Sequence, residues 1–326
     1  MYSALTIAKR SIYLEMYAFQ DDTIGYDFLS LLREKALSGV RVILILDSFG
    51  SSGLASDEVG RLRSSGAEVL FFSYWLRRLH RKILVIDETV AFLGGVNISG
   101  EYAPWRDLQV RVIGKRFVSS AIRSFARVYK ECKGKDKLIL EKGKDLPFRK
   151  ARTWFLEHGI GGRIYALRKH YEKNISEAKT SILLFTPYLV PRRWLMAHLH
   201  EAILRGVRVE IVVPEHTDHA WLMGPVNRYH FALFTRMGAV CFFVPEMNHS
   251  KVMLVDGKKA TIGSQNLDPL SFDMNAEAGI VFEGKGMIRD LQKILYAWRE
   301  KARVFDPALF KPKWYHGLFS LFRRWL

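Results

Sequence analysis

One pattern of polar residues occurs twice in this chain, and no spacing within it changes between the copies. The pattern is His-x-Lys-x4-Asp-x6-Gly-(Gly/Ser)-x-Asn. Its first copy consists of His80, Lys82, Asp87, Gly94, Gly95 and Asn97. Its second copy consists of His249, Lys251, Asp256, Gly263, Ser264 and Asn266. A single His-x-Lys is usually an ordinary surface pair, but two matched copies predict a duplicated chain with two half-sites.

The residues around each cassette repeat as well, at a separation of roughly 170 residues. Gly39-Val-Arg-Val corresponds to Gly206-Val-Arg-Val, and Gly66-Ala corresponds to Gly238-Ala. In each half a buried apolar strand is followed by a helix and then by a β-branched strand. The predicted elements are strands 12–19 and 182–189, helices 26–38 and 193–205, and strands 40–46 and 207–213. A second helix precedes Gly66 and Gly238.

Near-continuous apolar strands that alternate with helices predict an α/β fold with sheets covered on both faces. Asp256-Gly257 is a tight-turn signal, so each His-x-Lys strand should run antiparallel to its successor and each sheet should be mixed. The predicted organisation is two tandem α/β/α sandwich halves, 1–130 and 164–310. A charged linker, 131–163, joins them, and a basic amphipathic tail, 311–326, follows.

The chain of 326 residues carries a net charge of +17 and contains 21 Phe, 13 Tyr and 8 Trp. This balance predicts an anionic partner, and the aromatic residues favour a membrane of acidic phospholipid over nucleic acid. The longest apolar stretches are about half the ~20 residues that a bilayer span requires. With two cysteines and no signal peptide visible at Met1, we expect a peripheral protein on the cytoplasmic face of the cell membrane. No oligomeric state is predicted.

Two basic and aromatic segments are candidate lipid contacts. In the tail, residues 318, 321, 322 and 325 fall on one helical face, as in an interfacial helix; a helix docked on the core or a disordered end would explain the same pattern. Tyr74-Trp75-Leu76-Arg77-Arg78 precedes His80 and is a candidate for the rim of the site, with ordinary surface exposure as the alternative.

The cassettes suit phosphodiester transfer without a metal or another cofactor. On a strand, residues two apart point to the same face, so each histidine should lie beside its lysine. One histidine can attack phosphorus while the other protonates the leaving alcohol. The lysines, together with Asn97, Asn266 and Ser264, would stabilise charge on the phosphate oxygens. The pairs His198/His200 and His216/His219 lack the spacing and third ligand of a zinc site.

Two kinds of carboxylate accompany the cassettes. Asp107 and Glu277 follow His80 and His249 by 27 and 28 residues. A carboxylate bonded to Nδ1–H would orient a histidine and raise the basicity of Nε2. Asp87 and Asp256 are part of the catalytic cassette, but each sits near a turn at the end of its strand, so a structural role is an equal alternative to phosphate contact.

The paired cassettes resemble the phospholipase D superfamily, and their context is similar to bacterial cardiolipin synthases. The matching stretches are His80-Arg-Lys-Ile-Leu-Val-Ile-Asp, Ala91-Phe-Leu-Gly-Gly-Val-Asn, Ala260-Thr-Ile-Gly-Ser-Gln-Asn-Leu-Asp-Pro-Leu-Ser and Asn275-Ala-Glu. The resemblance covers about residues 10 to 305. It implies two phospholipase D-like halves whose cassettes face one pocket on a pseudo-two-fold axis.

The resemblance also implies an activity. A first phosphatidylglycerol would donate its phosphatidyl group to a second, giving cardiolipin and glycerol, with His80 as nucleophile. The chain looks like the branch of these synthases without two N-terminal membrane helices. Three alternatives share the sequence features: a nuclease acting on a phosphodiester backbone, a lipid hydrolase with water as acceptor, and an inactive membrane-binding scaffold. The intact histidines and lysines argue against the scaffold.

Overall fold

The structure is a computed structural model that describes residues 1–20, 25–144, 152–160, 165–218 and 220–311. The first half contains four helices and six strands: α1 (Tyr2–Thr6), β1 (Ser11–Met16), α2 (Phe28–Leu37), β2 (Arg41–Asp47), α3 (Ser56–Ser64), β3 (Glu68–Phe72), β4 (Ile83–Ile86), β5 (Val90–Gly94), β6 (Gln109–Ile113) and α4 (Lys115–Glu131). Its sheet has the order β3-β2-β1-β4-β5-β6. Strands β1 to β3 are parallel and the others antiparallel, so the sheet is mixed as predicted.

The second half repeats this order and adds strands at both edges of its sheet. Its elements are α5 (Lys137–Lys142), β7 (Thr153–His158), α6 (Ala166–Glu177), β8 (Ser181–Phe185), α7 (Arg193–Leu204), β9 (Arg208–Pro214), α8 (Ala220–Arg236), β10 (Val240–Val244), β11 (Val252–Val255), β12 (Lys259–Gly263), α9 (Pro269–Asp273), β13 (Glu277–Phe282), α10 (Lys285–Glu300) and β14 (Arg303–Val304). The eight strands have the order β14-β10-β9-β8-β11-β12-β13-β7.

Three hydrophobic cores arrange these elements in layers. One core packs α2 and α3 on the outer face of the first sheet, and a second packs α6, α7 and α8 on the outer face of the second sheet. The third core lies between the halves and combines the inner faces of both sheets with α4 and α10. Strand β1 is buried along its whole length because its side chains alternate between an outer and the central core. Both faces of each sheet are thus covered, as the apolar runs predict.

Glycines follow the predicted helices, and the aspartate of each cassette begins a tight turn. Gly39 and Gly206 follow α2 and α7 with φ of 86° and 83°, a left-handed conformation that favours glycine. Asp256 and Gly257 adopt φ of 53° and 60° at the centre of a tight turn that is closed by the amide of Lys258 donating to the carbonyl of Val255 over 3.0 Å, and this turn joins β11 to β12. The predicted turn is therefore observed.

Three local expectations differ from the structure. The segment 131–163 is not a plain linker, because it contains α5 and β7, and β7 pairs antiparallel with β13 to extend the second sheet. Strand β7 contains three consecutive apolar residues, Trp154, Phe155 and Leu156, and completes that edge. Strands β4 and β11 begin one residue after the lysines, so each His-x-Lys lies in the extended segment that enters the strand. The sequence predicts a loop over 214–230 ahead of the helix that precedes Gly238, but that helix, α8, already begins at Ala220.

Two further observations concern the membrane expectations. The tail, 312–326, lies outside the described residues, so its predicted helix has no structural counterpart here. Within the described ranges, no helix combines the length and the apolar character needed to cross a bilayer.

Candidate active site

Each His-x-Lys segment is held by backbone hydrogen bonds to the opposite half. The amide of His80 donates to the carbonyl of Ala276 over 3.0 Å, and Ala276 donates to Arg78 over 2.8 Å. In the second half, His249 donates to the carbonyl of Arg106 over 2.7 Å, and Arg106 donates to Met247 over 2.8 Å. Equivalent segments contact each other reciprocally, which is the signature of two-fold relatedness. The halves are therefore arranged about a pseudo-two-fold axis that passes between the histidines.

Because of this pairing, each histidine is bonded to the carboxylate of the other half. Nδ1 of His80 lies 3.0 and 3.2 Å from the two carboxylate oxygens of Glu277. Nδ1 of His249 lies 2.7 Å from Oδ2 of Asp107. Ala276 and Arg106 immediately precede these acids, so the backbone hydrogen bonds between the halves place both carboxylates beside the histidines. An ionised carboxylate accepts a hydrogen bond from Nδ1–H, which keeps the proton on Nδ1 and leaves Nε2 as the free base.

Each lysine lies against the histidine of its own cassette. Nζ of Lys82 donates to the carbonyl of His80 over 2.9 Å, and Nζ of Lys251 donates to the carbonyl of His249. Both lysines are almost completely buried. Such buried ammonium groups have hydrogen-bonding capacity left for an anion that enters the site.

Burial and mutual repulsion shift the titration of these cations. Burial and, after it, the charge of Lys251 lower the pKa of Lys82 to about 7. Burial likewise lowers the pKa of Lys251 to about 8. Burial and the neighbouring lysine lower the pKa of His249 to about 4, although Asp107 opposes the shift. The pKa of His80 is lowered for the same reasons. Both imidazoles are therefore neutral in the empty site at neutral pH.

Glu277 is ionised despite its burial. Burial acts to raise the pKa of its carboxyl, but the electrostatic interaction and hydrogen bond with His80, the charge of Lys82 and the hydrogen bond from Ser264 outweigh it, so the pKa lies below its ordinary value. The hydroxyl of Ser271 donates to Oε1 over 2.8 Å, and the hydroxyl of Ser264 donates to Oε2. These contacts hold the carboxylate in place for the imidazole.

The position of Ser264 differs from its predicted role in phosphate binding. Its side chain is fully buried and is bonded to Glu277, away from the pocket. Its counterpart, Gly95, has no room for a side chain, because a Cβ there would stand 2.3 Å from Oδ1 of Asp107. Asp107 is shorter than its counterpart Glu277, and its carboxylate occupies the space that the Ser264 side chain fills in the second half. The difference between Gly95 and Ser264 is therefore a matter of packing around the carboxylate.

Both histidines line one cavity of about 430 Å³. Its wall is rich in aromatic and polar side chains: Tyr17, Phe49, Arg78, His80, Asn97, Tyr102, Trp105, Tyr188, Val190, Asp218, Met223, His249, Asn266, Asp268, Pro269, Leu270 and Asn275. Asn97 accepts from the amide of Ala18 through Oδ1 over 3.3 Å, which leaves its NH2 group for the cavity. Both predicted asparagines therefore reach the site.

The cavity also contains residues that sequence reasoning missed. The hydroxyl of Tyr188 lies 2.7 Å from Oδ1 of Asp218, and burial and this carboxylate raise the pKa of the phenol. Burial raises the pKa of Asp268 to about 6. Neither acid is part of the repeated pattern: the position of Asp268 is occupied by Ser99 in the first half. A search for matched residues therefore passes over them.

Asp87 and Asp256 lie apart from the cavity. Oδ1 of Asp87 accepts backbone N–H groups at the start of β1, over 2.7 Å from Arg10 and 3.0 Å from Ser11. Asp256 accepts the amides of Thr180 and Ser181 over the same two distances at the start of β8. Their inclusion among the catalytic residues is wrong in this structure, and the alternative of a structural role fits it.

No cluster of three or more His, Cys, Asp or Glu side chains in the described part of the chain has the arrangement of a metal site.

The fold and the paired half-sites define a bilobal phospholipase D-like protein. The sequence model of a family described as "Cardiolipin synthase, PLD-like domain" matches residues 1–129 and 171–298. The chain therefore belongs to this family.

Individual relatives agree with this membership. The chain is 29% identical to a probable cardiolipin synthase of Bacillus subtilis, over 95% of this chain and 65% of that protein. It is 31% identical to cardiolipin synthase A of Pseudomonas syringae, over 85% of this chain and 61% of the relative. The chain thus spans less than two thirds of the length of these relatives. A crystal structure of phosphatidylserine synthase from Haemophilus influenzae shares the fold, with a TM-score of 0.76 at 16% identity, covering 99% of this chain and 90% of that one.

Proposed function

We infer that this protein is a phosphatidyltransferase that forms cardiolipin from two molecules of phosphatidylglycerol and releases glycerol. The observation that carries the proposal is that both histidines line one cavity, and that each is bonded through Nδ1 to a carboxylate of the other half and carries a buried lysine on its backbone carbonyl. Family membership supports the choice of lipid. The chemistry that follows uses the protein's own residues alone.

In the first step, Nε2 of His80 attacks the phosphorus of one phosphatidylglycerol. The bond between phosphorus and the glycerol headgroup oxygen breaks as the N–P bond forms, and His249 donates a proton to the leaving glycerol. Glu277 stabilises the positive charge that develops on the His80 imidazole. The product is a phosphatidyl group attached to His80.

In the second step, His249 removes a proton from the headgroup hydroxyl of a second phosphatidylglycerol. That oxygen attacks phosphorus, the N–P bond breaks, and His80 returns to its neutral form. One site thus performs both half-reactions with the same residues, because the proton that His249 gives in the first step is regained in the second.

The protonation that the first step requires depends on the substrate. His249 is neutral in the empty site because burial and Lys251 lower its pKa to about 4. A bound phosphodiester carries a negative charge that offsets the lysines, so substrate binding raises the pKa of His249 and allows it to act as the acid. Lys82, Lys251 and Asn97 would hold the phosphate oxygens during transfer.

The proposed substrate requires contact with a membrane. We propose a peripheral location at the cytoplasmic face of the cell membrane, supported by the net charge of +17 and the attraction of cationic proteins to acidic lipid.

Product analysis by thin-layer chromatography with labelled phosphatidylglycerol tests the proposal. The wild type should form cardiolipin, whereas His80→Ala and His249→Ala should form none. Cardiolipin from both variants would overturn the two-histidine mechanism. Phosphatidic acid as the main product would identify a hydrolase, and cleavage of DNA without turnover of phosphatidylglycerol would identify a nuclease.

A further inference from the structure

The described part of the chain has an unusual group of exposed apolar side chains. Trp75 is 89% exposed, the highest value for any large hydrophobic residue described, and its neighbour Leu76 is 63% exposed. Tyr74 is 43% and Phe49 62% exposed. We call Phe49, Tyr74, Trp75 and Leu76 the Trp75 rim. Single exposed apolar residues are common on protein surfaces, but a cluster of large ones indicates a binding surface.

The Trp75 rim is braced by two arginines. Nη1 of Arg78 donates to the carbonyls of Tyr74 and Trp75 over 2.9 and 3.3 Å, and its guanidinium lies 4.5 Å from the centre of the Phe49 ring. Arg77 forms an ion pair with Glu131 and lies 5.5 Å from the centre of the Tyr74 ring. These contacts fix the backbone of the loop while the Trp75 and Leu76 side chains point into solvent.

The rim is directly connected to the cavity. Phe49, which is part of the Trp75 rim, and Arg78, which braces it, both line the cavity. His80 follows Arg78 by two residues. Phe49 follows β2, and Tyr74 to Leu76 follow β3. Since β2 and β3 are parallel neighbours, their carboxyl ends bring both loops to one edge of the sheet. Apolar surface therefore borders the entrance to the reacting groups.

The loop that carries Tyr74, Trp75 and Leu76 differs from its counterpart in the second half. The corresponding loop after β10 reads Pro245-Glu246-Met247 and contains no aromatic or basic residue. The structure thus has a pseudo-symmetric catalytic centre with an asymmetric entrance. The shared chemistry does not explain this difference, because both cassettes contribute the same residue types.

We propose that the Trp75 rim inserts into the headgroup region of an anionic phospholipid bilayer and positions the cavity over the lipid headgroups. Trp and Tyr settle at the lipid–water boundary, Leu76 and Phe49 add apolar area, and the Arg78 guanidinium complements lipid phosphate. This inference deepens the proposed function and rests on its lipid substrate. It names the part of the chain that contacts the membrane.

Vesicle sedimentation tests the proposal with the full chain and vesicles of equal parts phosphatidylglycerol and phosphatidylcholine. The variant Trp75→Ser/Leu76→Ser should partition about tenfold or more weakly than the wild type, because the apolar area that these two side chains would bury in the bilayer interface is lost. Leu204→Ser is the matched control, since Leu204 is 74% exposed at the end of α7 and outside the rim. Equal binding by the double variant and the control would overturn the proposal.

A fluorescence measurement detects insertion of Trp75 into the bilayer even if another segment keeps the protein bound to the vesicles. Brominated phosphatidylcholine should quench tryptophan fluorescence in the wild type more than in Trp75→Phe, and this difference isolates Trp75 from the other tryptophans. No difference between the two proteins would contradict insertion. A rim that self-associates instead would show dimers by analytical ultracentrifugation that the double variant abolishes, with vesicle binding unchanged, which also overturns the proposal. Rim-dependent binding without cardiolipin formation would instead contradict the proposed function alone.

Discussion

At the scale of single residues, the site depends on the exchange of carboxylates between halves. Glu277 serves His80 and Asp107 serves His249, so neither cassette is complete without the other. Each imidazole has its Nδ1 occupied by an acid, and Nε2 is left for phosphorus or for a leaving oxygen. A carboxamide in place of the acid would preserve size but remove the charge that stabilises an imidazolium.

The first prediction concerns this charge. Glu277→Gln and Asp107→Asn should each lower kcat for cardiolipin formation by about 10²-fold or more. The carboxamide no longer favours the Nδ1–H tautomer of the histidine and no longer stabilises the imidazolium that forms during the reaction. Initial rates in mixed micelles check this. Glu283→Gln is the control, since Glu283 is exposed and lies 3.3 Å from Lys259 at the far end of β13. Near-wild-type kcat in Glu277→Gln would contradict the assigned role.

The second prediction concerns pH. The lysines bind phosphate only when protonated, and burial lowers the pKa of Lys82 to about 7 and that of Lys251 to about 8. For the empty enzyme, kcat/KM should therefore fall as pH rises through 7 to 8, well below the ordinary lysine pKa of 10.5. On the acid side, the attacking histidine must be neutral, and its pKa is lowered, so activity should persist below pH 6.5.

The same experiment contains its own control. A bound phosphodiester raises the lysine pKa values, so the alkaline limb of kcat should lie at higher pH than that of kcat/KM. Profiles in neutral detergent micelles check both limbs. A value of kcat/KM that stays constant up to pH 9 would contradict a role for the depressed lysines.

At the scale of secondary structure, the cassette aspartates are turn residues that attach one strand to another. Asp256 sits in the β11–β12 turn and accepts the amides that begin β8, and Asp87 does the same for β1. Burial acts to raise the pKa of both carboxyls, but the hydrogen bonds from backbone N–H groups at these strand starts outweigh it and lower the pKa. The spacing of the cassette is thus partly a requirement of the hairpin.

The third prediction follows from this attachment. Asp256→Ala should lower the free energy of unfolding by about 1–3 kcal/mol, because several N–H groups lose their acceptor. It should leave kcat close to that of the wild type at temperatures where the protein is folded. Urea titration and initial rates check the two parts, with Asp290→Ala on the exposed side of α10 as control. A large loss of kcat without loss of stability would return Asp256 to the catalytic set.

The aspartate contribution depends on pH. The folded-state pKa of Asp256 is lowered below its ordinary value of 3.8. Its stabilising effect is therefore fully present above pH 3.8 and is lost as pH falls through the folded-state value. The difference in stability between wild type and Asp256→Ala should shrink below pH 4.

At the scale of the whole molecule, a buried charge network joins the halves behind the catalytic segment. Arg81, between His80 and Lys82, is fully buried, and its Nε lies 2.8 Å from a carboxylate oxygen of Glu15 on β1. Its Nη1 lies 3.8 Å from Glu157 on β7, the strand that pairs with the one carrying Glu277. Burial raises the pKa of Glu15 to about 7, although Arg81 opposes this.

The fourth prediction tests this network. Arg81→Met leaves the buried carboxyl of Glu15 without its ion-pair partner, while Glu157 keeps Arg127, and should lower the free energy of unfolding by about 3–5 kcal/mol. Arg61→Met, which removes an exposed pair with Glu58, should change it by less than about 1 kcal/mol. Denaturant unfolding of both variants checks this. Equal stability of the two would show that the network does not hold the halves.

Much of the fold follows from local patterns. The strand–helix–strand order, the glycines after α2 and α7, and the turn at Asp256-Gly257 were predictable because backbone preference and hydrophobic period act over a few residues. Strand β7 was missed because its surroundings are dense in charge and its partner, β13, is more than a hundred residues away. The start of α8 was missed because Pro225 favours a loop interpretation.

The doubled cassette predicted phosphodiester chemistry and both histidine–lysine pairs, since the residue types and spacings on which that prediction rests are local properties. Which acid serves which histidine, the structural role of Asp87 and Asp256, and the contact of Ser264 with Glu277 depend on how the two halves dock. Docking is set by the shared core and by the reciprocal backbone bridges at Ala276 and Arg106, which join residues far apart in the chain. No spacing within one cassette contains that information, so the exchange of carboxylates is a property of the folded molecule.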